Sequence, residues 1–420
     1  MSQTTATSLL VIAVAAVLAP ILAELLSRFR IPNVLFELLL GIIIGPSVLA
    51  LASVDSFVNG LSTLGLAFLF FVAGYEIDFN RLRGKPLNRG LGGWAVTLAI
   101  GLVVGLVLMT SGFVVSSLLV GLALTTTAIG TLLPMLHDRG LLETRFGDYL
   151  TAAGAIGEFG PILAVTILLG TSSPGEEGLL LLAFMALALA VAWMASRPQP
   201  PRFVETMQRH LSTSTQLPVR IIILLITVMV FVAAALGLDM LLGAFAAGLI
   251  GRLAFRPDSS STLEPKLESI GFGFLIPVFF IVSGMRFDVT ALGDASTAVR
   301  VPIFLGLFLV VRGLPALLVY RGLLPSRQRA AMVVLQSTAL PLLVVITEIG
   351  LETHRMRPTT ATALVGAGML SVLLFPLAGF ALLGRVTGPP EEGADLPPTL
   401  QPEDEPGPPP DELDPTIDPI

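Results

Sequence analysis

The 420-residue chain has no cysteine, which excludes disulfides, thiol nucleophiles and thiolate metal sites. It has three histidines, His137, His210 and His354, each in a short polar connection, so no histidine-metal cluster is expected. Charged residues are also scarce, at 13% of the chain. A water-soluble protein of this length could not cover its surface with so few. No nucleophile–base pair marks an enzyme. No Gly-x-Gly-x-x-Gly fingerprint follows the last apolar run, so no nucleotide-binding domain, cofactor or nucleic-acid partner is expected. What the chain has instead is apolar surface: 54% hydrophobic residues and a mean hydropathy of +0.87. Runs of about 20 apolar residues are what a lipid bilayer requires of a helix.

Thirteen such runs lie near 7–27, 33–52, 60–78, 90–111, 113–136, 147–170, 178–196, 217–236, 238–254, 268–287, 298–321, 327–350 and 359–384. The expected fold is therefore an all-α polytopic membrane protein of about 13 transmembrane helices. Nothing basic precedes the first run, while Arg28 and Arg30 follow it. It reads as a retained span rather than a cleaved leader. Of the 24 Lys and Arg residues, 19 fall in one alternating set of connections. Four (Arg286, Arg300, Arg355 and Arg357) fall in the other, and Arg312 lies inside a span. That asymmetry places the N-terminus outside and the C-terminus in the cytoplasm of a bacterial-type inner membrane.

The segment 388–420 is of another kind, with eleven prolines, ten acids and no basic residue. It reads as a disordered acidic, Pro-rich cytoplasmic tail beyond a membrane domain at 1–387.

Ionisable groups at mid-membrane depth are expensive and point to function. Glu24, Glu37, Glu76, Asp148, Asp239 and Glu348 lie near helix ends, where capping, cytoplasmic arginines or water can meet them. Glu158 and Arg312 do not. Each is nine or ten residues from the cytoplasmic end of its run, roughly 14–15 Å deep. Equal depth and opposite charge suggest a pair, with a structural salt bridge as the plainer reading. Gly154, Gly157 and Gly160 would leave room beside Glu158 for water or an ion. Pro161 frees a backbone carbonyl in the same turn.

Two runs are poor helix material. The fifth holds Thr125-Thr126-Thr127-Ala128 and then Pro134; the twelfth holds Gln336-Ser337-Thr338-Ala339 and then Pro341. Seven runs apart, they point in opposite directions, as in an inverted-repeat transporter with a midplane site and two crossed broken helices. Thr126, Thr127, Ser337 and Thr338 are the candidate oxygen ligands for a hard monovalent cation.

Several longer stretches carry a resemblance. RIPNVLFELLLGIIIGPSVL (30–49), LGLAFLFFVAGYEIDFNRLR (64–83), GLDMLLGAFAAGLIGR (237–252) and IPVFFIVSGMRFDV (276–289) resemble, in order, the motifs of the cation:proton antiporter-2 family. That family includes bacterial sodium/proton antiporters and Kef-type potassium/proton antiporters. The resemblance covers about residues 8–384. It implies a sodium/proton-antiporter fold and two helix groups: a core near 90–170 and 298–384, and a dimerisation scaffold near 1–78 and 217–287. It implies a homodimer in the bilayer, elevator-like motion of the core, and exchange of Na+ or K+ against H+.

The family's acidic or Gln-Asp pair on the sixth helix stands here as Gly157-Glu158, with Pro161 three places on. The resemblance thus makes Glu158 the ion and proton site. Arg312 stands where relatives often carry a basic residue, Lys in electrogenic ones. With one carboxylate, and an arginine that stays protonated, the expected exchange is electroneutral and 1:1. Arg312 would compensate Glu158 when it is empty and be displaced when it is loaded. Two other classes remain open: an organic-anion transporter on the same fold, and a non-transporting membrane sensor or scaffold.

Overall fold

The computed structural model describes residues 3–26, 32–76, 84–169, 174–195, 197, 215–254, 257–287 and 289–384. The tail from 388 lies outside them. So do the loop cations Arg28, Arg30, Arg81, Arg83, Arg202, Arg209, Arg256 and Arg385.

The described residues are helical throughout, with no strand among them. The first group comprises α1 (Gln3–Leu25), α2 (Asn33–Ile44) and α3 (Ser56–Tyr75). Then come α4 (Lys85–Thr110), α5 (Ser117–Ala123), α6 (Ile129–Asp138) and α7 (Arg145–Leu169). They are followed by α8 (Pro174–Ala195), α9 (Leu217–Ala235) and α10 (Met240–Ala254). A continuous rod follows from α11 (Pro257–Ile270) through a π-helical turn (Gly271–Leu275) into α12 (Ile276–Met285). Another runs from α13 (Ala295–Phe308) through a π-helical turn (Leu309–Gly313) into α14 (Leu314–Val319). The last helices are α15 (Ser326–Leu335), α16 (Pro341–Glu352) and α17 (Pro358–Leu383).

Seven helices among the described residues are long and apolar enough to cross a membrane: Gln3–Leu25, Ser56–Tyr75, Lys85–Thr110, Leu217–Ala235, Leu263–Met285, Ala295–Val319 and Pro358–Leu383. Asn33–Ile44, Gly178–Met194 and Met240–Ala254 are shorter apolar helices. The outward faces expose Leu10, Val17 and Ile21 on α1 and Leu182 and Trp193 on α8, a surface suited to lipid rather than water. This is a multi-pass helical membrane protein.

Local sequence explains the helix ends. Asp55 caps α3, accepting from the amides of Phe57 (3.0 Å) and Val58 (2.9 Å), and it also receives the Thr5 hydroxyl of α1. Ser116 caps α5 through Leu119 N–H, Thr144 caps α7 through Gly147 N–H, and Asp239 caps α10 through Leu241 N–H. Prolines open α4, α9, α16 and α17, where a missing N–H costs nothing, whereas Pro277 and Pro315 follow the π-helical turns inside the two rods.

Two sets of helices pack among themselves. In one, α12 lies against α1, α2 and α3, and α3 lies against α10. The α2–α12 approach is close because neither side has a side chain there. A Cβ on Gly41 would strike the Ile281 backbone, and one on Gly284 would strike that of Leu38. In the other set, α4 packs on α5 and α7, and α17 packs on α13, α15 and α16. Leu119, Leu122, Phe304, Phe308, Leu343 and Leu364 form the centre of that second set.

Candidate ion site

The site begins with hydroxyls that compete with helix. After α5, Thr125 Oγ1 donates to the Leu122 carbonyl (2.8 Å) and Thr126 Oγ1 to that of Ala123 (2.9 Å). The side chains thus satisfy the last carbonyls of α5, and the backbone at 126–128 is free to unwind. The twelfth run unwinds likewise at 338–340, after Ser337 Oγ has turned back to the Val333 carbonyl (2.7 Å). Pro341 then starts α16.

The two unwound segments cross and hold each other. Ala128 N–H donates to Thr338 O (2.7 Å), and Thr127 Oγ1 donates to Gln336 O (2.6 Å). Ser371 of α17 accepts from Ala339 N–H (3.0 Å), so the unwound backbone keeps its partners. Crossed broken helices are what the paired hydroxyl runs predicted. Pro134, however, lies inside α6, six residues into that half-helix, and the break falls upstream at the threonines.

Glu158 is buried on α7, beside this crossing. Its carboxylate is faced by the backbone amides of Ile129 and Gly130, the first residues of α6. A helix N-terminus directs unpaired N–H groups and the positive end of its dipole there. Oε2 of Glu158 nevertheless has no hydrogen-bond partner, and neither has the buried Thr338 Oγ1. Another carboxylate, Glu76 at the C-cap of α3, also acts on Glu158.

Arg312 departs from expectation. It is buried, but it forms no ion pair with Glu158. Its Nε donates to Thr127 Oγ1 (2.6 Å) and a terminal nitrogen donates to the Ala153 carbonyl (2.6 Å), about one and a half helical turns from Glu158. The guanidinium reaches there over Gly157. The π-helical turn around Arg312 leaves its carbonyl to Gln336 Nε2 (2.7 Å). Arg312 therefore fastens the crossing to α7.

The glycines on α7 leave no vacant space either. Cβ atoms built on Gly154, Gly157 and Gly160 would meet Ile129, then Arg312 with Thr127, then Trp94. These glycines admit side chains rather than water. Pro161 does free a carbonyl. Its ring removes the N–H that would bind Gly157 O, and Thr127 N–H takes that oxygen instead (3.1 Å), while α7 runs on unbroken.

The four candidate hydroxyl ligands all lie on the two unwound runs, with unequal freedom. Thr338 has an uncommitted hydroxyl; Thr126, Thr127 and Ser337 donate theirs to carbonyls. Sequence reasoning missed Ser371 as part of the crossing; Gln336 it placed in the twelfth broken run without a partner. It also set Glu37 among the helix-end acids, whereas Glu37 is buried in α2 with Oε2 unpartnered. Glu348 does meet an arginine, but it is Arg286 and not one of the cations assigned to the cytoplasmic connections.

The profile of the sodium/hydrogen exchanger transmembrane family matches residues 13–384. The chain belongs to the sodium/hydrogen exchanger family. Within it, the chain is similar to a putative Na+/H+ antiporter, YjbQ of Bacillus subtilis. The two are 28% identical over 411 residues, covering 93% of this chain and 65% of that protein. The chain thus spans about two-thirds of that relative's length. It is 28% identical over 291 residues to the Na+/H+-K+ antiporter GerN of Bacillus cereus, covering 64% of this chain and 69% of GerN. Among solved structures, the sodium proton antiporter MjNhaP1 of Methanocaldococcus jannaschii superposes with a TM-score of 0.65. That match covers 90% of this chain and 98% of MjNhaP1 at 18% identity, a likeness of fold.

Proposed function

We propose that this exchanger-family member is a secondary active antiporter, exchanging Na+ or K+ for H+ across the membrane at Glu158. One observation carries the reading. A buried carboxylate faces a half-helix N-terminus at the crossing of two unwound segments, and one of its oxygens is left without a partner. Such a group can hold a proton or a dehydrated monovalent cation, but not both. Competition for one site is sufficient for exchange.

In this proposal Thr338 Oγ1, with its free lone pairs, is the first additional ligand for the cation. Thr126, Thr127 and Ser337 contribute through the oxygens they still expose. Arg312 supplies a fixed positive charge bound to Thr127 and Ala153, instead of swinging away when the site loads. With one carboxylate at the crossing, exchange is 1:1 and electroneutral.

The helices around the crossing, about 90–170 and 298–384, move as an elevator against a homodimer scaffold formed by 1–78 and 217–287. Thirteen spans place the N-terminus outside and the C-terminus in the cytoplasm of a bacterial-type plasma membrane, which is the side that the cation asymmetry favours. Names of relatives that include Na+ and K+ support the choice of ions.

The test is exchange in proteoliposomes carrying a pH gradient, for wild type and Glu158→Gln. Wild type dissipates the gradient on addition of Na+ or K+, at a rate insensitive to membrane potential, and the variant does not. Equal rates in the two folded proteins would refute Glu158 as the site. A potential-dependent rate would refute electroneutrality alone.

A further inference from the structure

An open, shallow slit, with a cavity volume of about 90 Å3, lies between α7, α8 and α10, next to the crossing but separate from it. Every residue lining it is apolar. Phe159 of α7 and Phe245 of α10 stack at its inner side, with ring centroids 3.3 Å apart. Ala188 of α8 and Ala246 of α10 supply its width. Leu189 and Leu253 line it too, and both are exposed on the outer surface of the protein, at 63% and 40%. The slit is therefore open to whatever surrounds these helices. In a membrane protein that is lipid. Water would find no hydrogen-bond partner on such walls.

One end of the slit carries the groups that mark headgroup depth. On α8, Ala192 lines the slit, and the next residue, Trp193, is exposed, with the Arg197 guanidinium stacked 3.7 Å over its ring. On α10, Leu253 lines it, while the preceding Arg252 turns to the Tyr75 ring of α3, 5.7 Å from its centroid. Exposed Trp with neighbouring arginines is the usual signature of the membrane interface, and arginine binds phosphate through paired N–H groups. No acidic residue lines the slit.

We propose that this slit holds part of one acyl chain of an anionic phospholipid, with the lipid phosphate taken by Arg197 beside Trp193. The chain would lie between the helix that carries Glu158 and the facing wall of α10. Occupancy would then act on the movement of α7 against α10.

Native mass spectrometry of the full chain, delipidated in detergent and then supplied with phosphatidylglycerol or phosphatidylcholine of the same chain length, tests this. Wild type binds one phosphatidylglycerol per chain in preference to phosphatidylcholine. Ala188→Phe and Ala246→Phe fill the slit and lower both by about tenfold or more. Arg197→Gln, beside the exposed Trp193, removes the preference for phosphatidylglycerol while phosphatidylcholine still binds. The proposal is overturned if delipidated wild type binds neither lipid, or if the slit-filling variants, still monodisperse, bind as wild type does. It is equally overturned if those variants lose a dimer rather than a lipid, because the slit would then seat a second copy of the chain.

Discussion

Gly157 decides more of the site than its size suggests. It lets the Arg312 guanidinium pass across α7 to Thr127 and Ala153, and a Cβ there would stand 2.7 Å from Thr127 Oγ1 as well as against the guanidinium. Overpacking of this kind costs about 1–3 kcal/mol, and about 1.4 kcal/mol is a tenfold change in a rate. Gly157→Ala should therefore reduce exchange by about tenfold, whereas Gly92→Ala, on a face of α4 with open space around it, should leave the rate unchanged. Equal rates in both variants would separate the placement of Arg312 from transport. Glu158 and Arg312 were legible in the sequence because a charge at mid-membrane depth is costly wherever its side chain points. Their failure to pair was not legible. It depends on rotation about α7 and on the π-helical turn, which offsets Arg312 toward Gly157. Glu37 was hidden for the opposite reason. It lies only five residues into a short helix, and that nearness to an end said nothing about the helices enclosing it.

At the scale of the element, the break in the fifth run is maintained from outside it. Thr127 N–H has no helical partner and takes Gly157 O, which is free because Pro161 has no N–H to give. Pro161→Ala would restore an N–H competing for that oxygen and remove a proline from the interior of α7. The helix gains, by up to about 3 kcal/mol on intrinsic propensity, while the unwound segment loses its hold. The expected result is a melting temperature equal to or above that of wild type, with exchange reduced by about tenfold. Wild-type exchange in this variant would sink the link between Pro161 and the break. The hydroxyl runs revealed both breaks to within a few residues, since Thr and Ser offer the backbone an alternative to helix. Proline was the poorer guide: Pro134 sits within α6 and Pro161 within an unbroken α7, whereas Pro341 does open a half-helix. A proline shows where an N–H is missing. Which group then takes the freed carbonyl is settled by tertiary contact.

For the whole molecule, the helical membrane architecture followed from composition alone, but the contacts between helix sets did not. One of them bears on motion. Arg286, at the C-cap of α12, binds Asn59 of α3 within its own set and Glu348 of α16 in the other. If the set around the crossing moves against α3 and α12, this clasp must open once in each cycle. Its two ends are each 35% exposed, so the pair is worth about 1 kcal/mol at most, a factor of about 5 between two states. Glu348→Gln should accordingly raise the population of the opened arrangement by about fivefold without unfolding the protein. Absence of cysteine makes the measurement direct, because spin labels attach only where a cysteine is introduced. Leu51→Cys and Leu351→Cys would place labels at exposed positions on the two sides of the clasp. Pulsed electron resonance in nanodiscs should show a longer-distance population that grows in Glu348→Gln. A distribution identical to that of the parent would mean that Arg286 and Glu348 stay together throughout the cycle, and the moving boundary would then have to lie elsewhere than between α12 and α16.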